Sequence, residues 1–440
     1  MLYTNKELSV EMVNDYYTKY INSKEYKDYV SCYKSYLGEY TILSETKPIW
    51  QPNNKLVNNF AKNITDTFSG FVASNGITVT GRDETIMNFD KINNISTKNM
   101  QLVRNAIKYG LCYELFYQDE DGNTRNAVIE PTNAFMIYDL SIEQKPLYFV
   151  RFMKDDEGNM NGEVYSNDKV YSFTGTDEIS ELKLEHDNIY HEIPVAIWEL
   201  NEEQRGIFID QLSLIDAYNK VISNKLNDIE AFSDAYLVLK DVLINTPDDM
   251  DDDDLIKNMQ KATNDFVKNI RDSHVIVMNS TQNDNGGNNN SSAEFITKPS
   301  DDASQENALN RLESQIYSLS SVVNFNNESF GNSSGIALQL RLQPMRDLMG
   351  SFTELCKNSL NHRYRLVCSL PNIKNHDAYL DLQYTFIENT PKDIKNEAET
   401  LAILMSTVSK ETALKQVSFI TDAEEEIKRI QAEQSDKLYE

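Results

Sequence analysis

Apolar residues recur at Leu212, Ile215, Ile222, Leu226 and Ile229, with Asn219 filling the missing step of a three-four alternation, and again at Leu309, Leu312, Ile316, Leu319 and Val323. That period marks one stripe of an α-helix. The sequence therefore predicts two helices, over 207–236 and 302–324, each roughly 35 to 45 Å long at 1.5 Å per residue. A 3.5-residue apolar period favours packing side by side at shallow angles. A hairpin within one chain and a ring of tilted helices from several chains both satisfy it.

Directly after the second stripe comes a polar loop over 325–335: Phe325-Asn326-Asn327-Glu328-Ser329-Phe330-Gly331-Asn332-Ser333-Ser334-Gly335. Such a connector is by itself an ordinary surface turn. A third helical pattern follows at once, with Leu338, Leu342, Met345, Met349, Phe352 and Cys356 on one face, and runs to about Cys368. Pro344 falls inside it and predicts a bend.

The segment between the first two helices is irregular. Asp248, Asp249 and Asp251 to Asp254 form an acidic run, read as a solvated charge run or helix entry rather than a cation site, and 283–292 is a low-complexity polar loop. A helix over 255–270 and strands at 237–239, 274–278 and 294–296 complete the insert.

The N-terminal half divides by pattern. Leu56, Phe60, Ile64 and Phe68 predict a helix over 53–68, a strand follows at 76–81, and a helix over 96–109 stops at Gly110. From Tyr113 to Trp198 alternation takes over, with strands at 113–117, 127–129, 145–153, 163–165 and 169–173. Asp119-Glu120-Asp121-Gly122 is a hairpin turn, because its glycine comes too early for a calcium loop and no glutamate closes one. At the C-terminal end a strand over 378–388 precedes helices over 392–407, 411–416 and 421–433, whose apolar face carries Leu401, Leu404, Met405 and Val408.

With 440 residues, 40% of them hydrophobic, the chain has room for two to four domains with real cores. No apolar run approaches 18 residues and no secretory leader is visible, so no membrane span is expected and the chain is expected to stay in the cytoplasm of the cell that makes it. Cys32, Cys112, Cys356 and Cys368 lack metal or redox spacing and are expected to be reduced and mostly buried. The sequence has no P-loop, no H-E-x-x-H and no G-x-S-x-G, so neither a cofactor nor an enzymatic activity is expected. A net charge of -27 opposes wrapping of nucleic acid, whose phosphates need Lys and Arg. The same charge suits a wall past which a polyanion slides. An acidic metal-dependent hydrolase or nuclease, and a structural adaptor, remain as alternative readings.

Leu212-Ser213-Leu214-Ile215-Asp216-Ala217-Tyr218-Asn219, then Ser223, Asn227-Asp228 and Glu230 to Leu239, then Ser334-Gly335-Ile336-Ala337-Leu338-Gln339-Leu340-Arg341-Leu342, resemble in their order the portal proteins of tailed bacteriophages. Segments around 53–67, 106–122, 130–151, 386–391 and 408–412 extend that resemblance along most of the chain. It implies an α+β portal fold: a wing over 1–205 with part of 371–390, a first stem helix over 206–236, a clip over 237–300, a second stem helix over 301–324, a tunnel loop over 325–335, a kinked helix and return to the wing over 336–390, and a crown over 391–440.

The resemblance further implies a homo-oligomeric ring, expected to have 12 subunits, at one capsid vertex of the virion, through which double-stranded DNA is packaged and ejected. The expected partners are the terminase large subunit, a head-completion or adaptor protein, and the major capsid and scaffolding proteins. The loop residues expected to approach DNA are Asn326, Asn327, Glu328, Ser329, Asn332, Ser333 and Ser334, with Gly331 and Gly335 as hinges and Pro344 as the helix kink. Asp216, Asp228, Glu230 and Asp234 are the expected acidic wall on the first stem helix.

Overall fold

Ser9 and Ser23 open the first two helices, each accepting the backbone N–H three residues on, from Met12 and Tyr26. These are α1 (Val10–Asn22) and α2 (Lys24–Tyr36). The computed structural model describes residues 2–48, 51–176, 178–232, 236–240, 275–278, 292–296, 302–325, 335–371, 373–390, 394–417, 420 and 423–436. Two units are distinguished, Met1–Phe386 and Ile387–Glu440.

The helix expected over 53–68 is displaced: α3 spans Phe60–Ala73, capped by Asn59, which accepts from the Lys62 amide at 3.1 Å. Residues 53–59 form neither helix nor strand, for a reason that lies in a distant helix. After β2 (Ile77–Thr80) comes α4 (Glu84–Ile92), which the apolar pattern did not reveal; its signal was Asp83, whose carboxylate caps the Ile86 amide. The next helix, α5 (Ile95–Tyr109), ends as expected at Gly110, whose φ is +88°. A Cβ there would lie 2.3 Å from the Arg205 backbone, so this close crossing of two chain segments requires glycine.

Two sheets follow. The strands β3 (Leu111–Gln118), β4 (Thr124–Ile129) and β10 (Val195–Glu199) pair antiparallel in the order β10-β3-β4. The β3–β4 connection is the expected hairpin: the Asp119 carboxylate accepts the Asp121 and Asn123 amides and the Arg125 Nε. A six-stranded sheet runs β1 (Leu2–Tyr3), β5 (Ala134–Tyr138), β6 (Pro146–Lys154), β7 (Met160–Tyr165), β8 (Lys169–Gly175) and β9 (Ile179–Asp187), antiparallel except for the β1–β5 pair. The strand expected over 378–388 is shorter. Its first part is a 3₁₀ turn, and only β14 (Gln383–Phe386) is extended, pairing antiparallel with β2 some three hundred residues earlier.

The helices of the apolar stripes are α6 (Leu212–Phe232) and α7 (Asp302–Ser320), which are shorter than predicted at about 32 and 29 Å. A 3₁₀ turn precedes α6, and α7 stops where Ser321 takes a φ of +57°. Among the described residues of the insert, β11 (Tyr236–Lys240) lies between β12 (Val275–Met278), parallel, and β13 (Ser292–Ile296), antiparallel. The helix expected over 255–270, the acidic run and the polar run over 283–291 lie outside the described residues. The next helix, α8 (Gly335–Cys368), is about 51 Å long and continues through Pro344. Its stripe of Leu342, Met345, Phe352, Cys356 and Leu360 is buried.

In the second unit, α9 (Ile394–Leu404) ends three residues before its expected limit, followed by α10 (Lys410–Leu414), capped by Ser409, and α11 (Ala423–Asp436). Ile403 and Met405 are exposed.

Candidate channel and assembly elements

Asn219, Ser223 and Asn227 stand four residues apart on one face of α6 and are all buried. They face segment 53–59. The Asn58 amide donates to Asn219 Oδ1 at 2.7 Å, the Leu56 amide to Ser223 Oγ at 2.9 Å, and the Asn54 amide to Asn227 Oδ1 at 2.6 Å. Four helical residues rise about 6 Å and two extended residues about 6.6 Å, so a helix face of period four matches a strand of period two rung for rung. Lys220 to Glu45 at 3.0 Å and Lys47 to Asn224 at 2.9 Å flank the ladder. These amides would be consumed inside a helix, which is why 53–59 is not one.

The other side of α6 meets α7. Lys225 pairs with Glu306, Gln305 donates to Asp228 at 3.2 Å, and Phe60 of α3 lies edge-on to Tyr218 and Tyr317 at 4.9 and 5.8 Å between ring centres. Ile215, Leu309 and Ile316 are buried, while Ile229 of α6 and Leu319 of α7 are 54% and 62% exposed. The expected stripe is thus divided between contacts within the chain and apolar side chains facing outward.

Of the expected acidic residues on the first stem helix, Asp216 is half-buried, Asp228 is engaged by Gln305, and exposed Glu230 accepts from Asn54 Nδ2 at 2.5 Å. Asp234 lies outside the described residues, as do Asn326, Asn327, Glu328, Ser329, Gly331, Asn332, Ser333 and Ser334. Gly335 is the first residue of α8, and Pro344 is exposed on it. Phe325, the first residue of the loop, is 46% exposed.

At its far end α8 is locked into the core by charge, a feature the sequence reading missed. Arg363 Nε lies 3.0 Å from Glu114 of β3, its Nη1 donates to Asn99 of α5 at 2.8 Å, and its guanidinium sits 5.1 Å from the Trp198 ring centre. Burial works against the Arg363 charge, but the adjacent Glu114 carboxylate prevails and holds the guanidinium above its ordinary value. Trp198 Nε1 and Asn126 Nδ2 donate to the same carboxylate at 3.0 and 2.6 Å. One residue on, the Tyr364 hydroxyl donates to Asp90 of α4 at 3.0 Å. An arginine within an apolar helical stripe was the only available signal.

The four cysteines are free and buried. Among the described residues no cluster of His, Cys, Asp or Glu is arranged to hold a metal ion, and no helix is long and apolar enough to cross a membrane.

A model of the family described as phage portal protein, SPP1 Gp6-like, matches residues 15–438. The portal protein of Bacillus phage SPP1 is 22% identical over 419 residues, covering 87% of this chain and 76% of that protein. Among solved structures, a chain from the neck of a native gene transfer agent particle computed with C12 symmetry is similar with a TM-score of 0.49 at 7% identity, covering 88% of this chain and 92% of that one. A chain from the neck of the empty particle computed with C6 symmetry gives 0.46 at 7% identity, covering 88% and 93%. The family model spans almost the whole sequence, and the chain belongs to the phage portal proteins of the SPP1 Gp6-like family.

Proposed function

We propose that this chain forms a closed ring, of 12 subunits in the particle, at one vertex of a phage capsid, and that double-stranded DNA is packaged and later ejected through its axis. The match of the portal family over residues 15–438 carries this reading. Exposed Ile229 and Leu319 on adjacent helices support it as apolar surface open to a neighbouring copy. The loop over 325–335 would border the channel, with its small polar residues close to the duplex and no cation to hold it. Fixed to the core through Arg363, α8 would be the rigid arm behind that loop.

The insert over 237–300 would dock the terminase large subunit, whose ATPase powers packaging, and afterwards a head-completion or adaptor protein. The major capsid and scaffolding proteins would surround the ring. No catalytic role is ascribed to the chain.

Negative-stain microscopy of the purified protein tests the reading most directly. Rings with a central hole are expected. Solitary molecules under every condition that supports particle maturation, or a hole too narrow for B-form DNA, would refute it. Incubation with plasmid and magnesium is expected to leave the plasmid intact, whereas cleavage would favour the nuclease alternative.

A further inference from the structure

Five of the eleven residues that line a cavity of about 270 Å³ in the N-terminal unit are aromatic: Tyr20, Tyr29, Tyr113, Phe135 and Tyr138. Glu25 lines it as well. Gln204, another wall residue, donates Nε2 to Glu199 at 2.6 Å, which sets a second carboxylate directly behind the wall. Burial raises the hydroxyls of Tyr29, Tyr113 and Tyr138, and the nearby Glu199 pushes all three further the same way. Among the described residues no lysine, arginine or histidine lines the space.

An aromatic ring carries negative potential on its face, so a ring that turns its face to the space would attract the same kind of ligand as the two carboxylates. The start of α2 at Ser23 opposes this with at most about half a positive charge. Ser23 Oγ already accepts the Tyr26 amide at 3.1 Å, and Glu25 occupies that first turn, so the balance stays with a cation. The volume falls just below the ~300–1,000 Å³ range of small-molecule pockets, which suits a compact head group.

We propose that this cavity binds an organic ammonium or guanidinium group, supplied either by a free amine or by a lysine or arginine side chain of a second copy of the chain. The inference does not depend on the ring or on DNA passage.

Calorimetry on the full-length protein at fixed ionic strength would compare tetramethylammonium and butylguanidinium with uncharged tert-butanol. Both cations are expected to bind, and tert-butanol to bind at least ~10-fold more weakly. Tyr138→Leu should weaken cation binding about 10-fold while Tyr138→Phe retains it, because the ring face and not the hydroxyl is the contact. Glu25→Gln, at an exposed position, should weaken it about 3-fold without disturbing the fold. Sedimentation at saturating butylguanidinium distinguishes the sources: an unchanged particle size indicates a free amine, and dissociation of copies indicates a neighbour's side chain. Equal binding of tert-butanol, no binding of either cation, or indifference to both Tyr138→Leu and Glu25→Gln would overturn the proposal.

Discussion

Arg363 and Glu114, 249 residues apart in the chain, meet at 3.0 Å with both side chains wholly buried. Such a pair is costly to break by halves, because the surviving charge is left in a medium that cannot solvate it. Arg363→Met or Glu114→Leu alone is expected to lower stability by about 3–5 kcal/mol in denaturant titrations, and the double replacement by clearly less than the sum. Additive losses would show that the two charges act independently.

The ladder between α6 and segment 53–59 makes a more local prediction. Asn219→Ala, Ser223→Ala or Asn227→Ala each removes the partner of one part-buried amide and should cost about 0.5–1.5 kcal/mol. Hydrogen exchange should accelerate chiefly at the matching rung: Asn58 for Asn219→Ala, Leu56 for Ser223→Ala, Asn54 for Asn227→Ala. Uniform acceleration along the segment would indicate that the rungs open together.

Asp90 predicts a pH dependence. Its carboxyl is pushed above the ordinary 3.8 by burial, in opposition to the hydrogen bonds it accepts from Arg82 and Tyr364. The folded protein therefore holds this proton more tightly than the unfolded chain. Between 3.8 and the raised value the group's contribution to stability falls as pH rises, and it is least unfavourable below 3.8. Asp90→Asn should remove this component, so the difference in stability between variant and parent should grow with pH across that window. A constant difference would refute the assignment.

For the proposed tunnel loop, Asn332→Trp with Ser333→Trp should abolish or strongly slow DNA packaging in an in vitro assay while rings still form in micrographs. Normal packaging by the double variant would remove the loop from the DNA path.

The insert yields a separate expectation. Deleting 283–290 should weaken capture of the terminase or of the head-completion protein in a pull-down while ring assembly persists. Unchanged capture of both would exclude that segment as a docking element.

Local chemistry made most of the elements legible in the sequence. The apolar period gave α6, α7 and α8, Gly110 gave the end of α5, alternation gave much of both sheets, and the order of the motifs gave the family. Boundaries were less legible, because Ser321 ends α7 through its own backbone conformation while the apolar pattern runs on to Val323.

What only the tertiary structure decided were pairings between residues far apart in the chain. Leu56 fits a helical stripe as well as Phe60 does, yet its amide belongs to Ser223, and a hydrogen bond spanning 167 residues leaves no periodic trace. Asn219 reads as a gap in an apolar seam until segment 53–59 is laid against it. Arg363 reads as a polar intrusion until Glu114, Asn99 and Trp198 surround it. Periodicity records which face of an element is buried, and the partner that buries it is fixed only when the chain closes on itself.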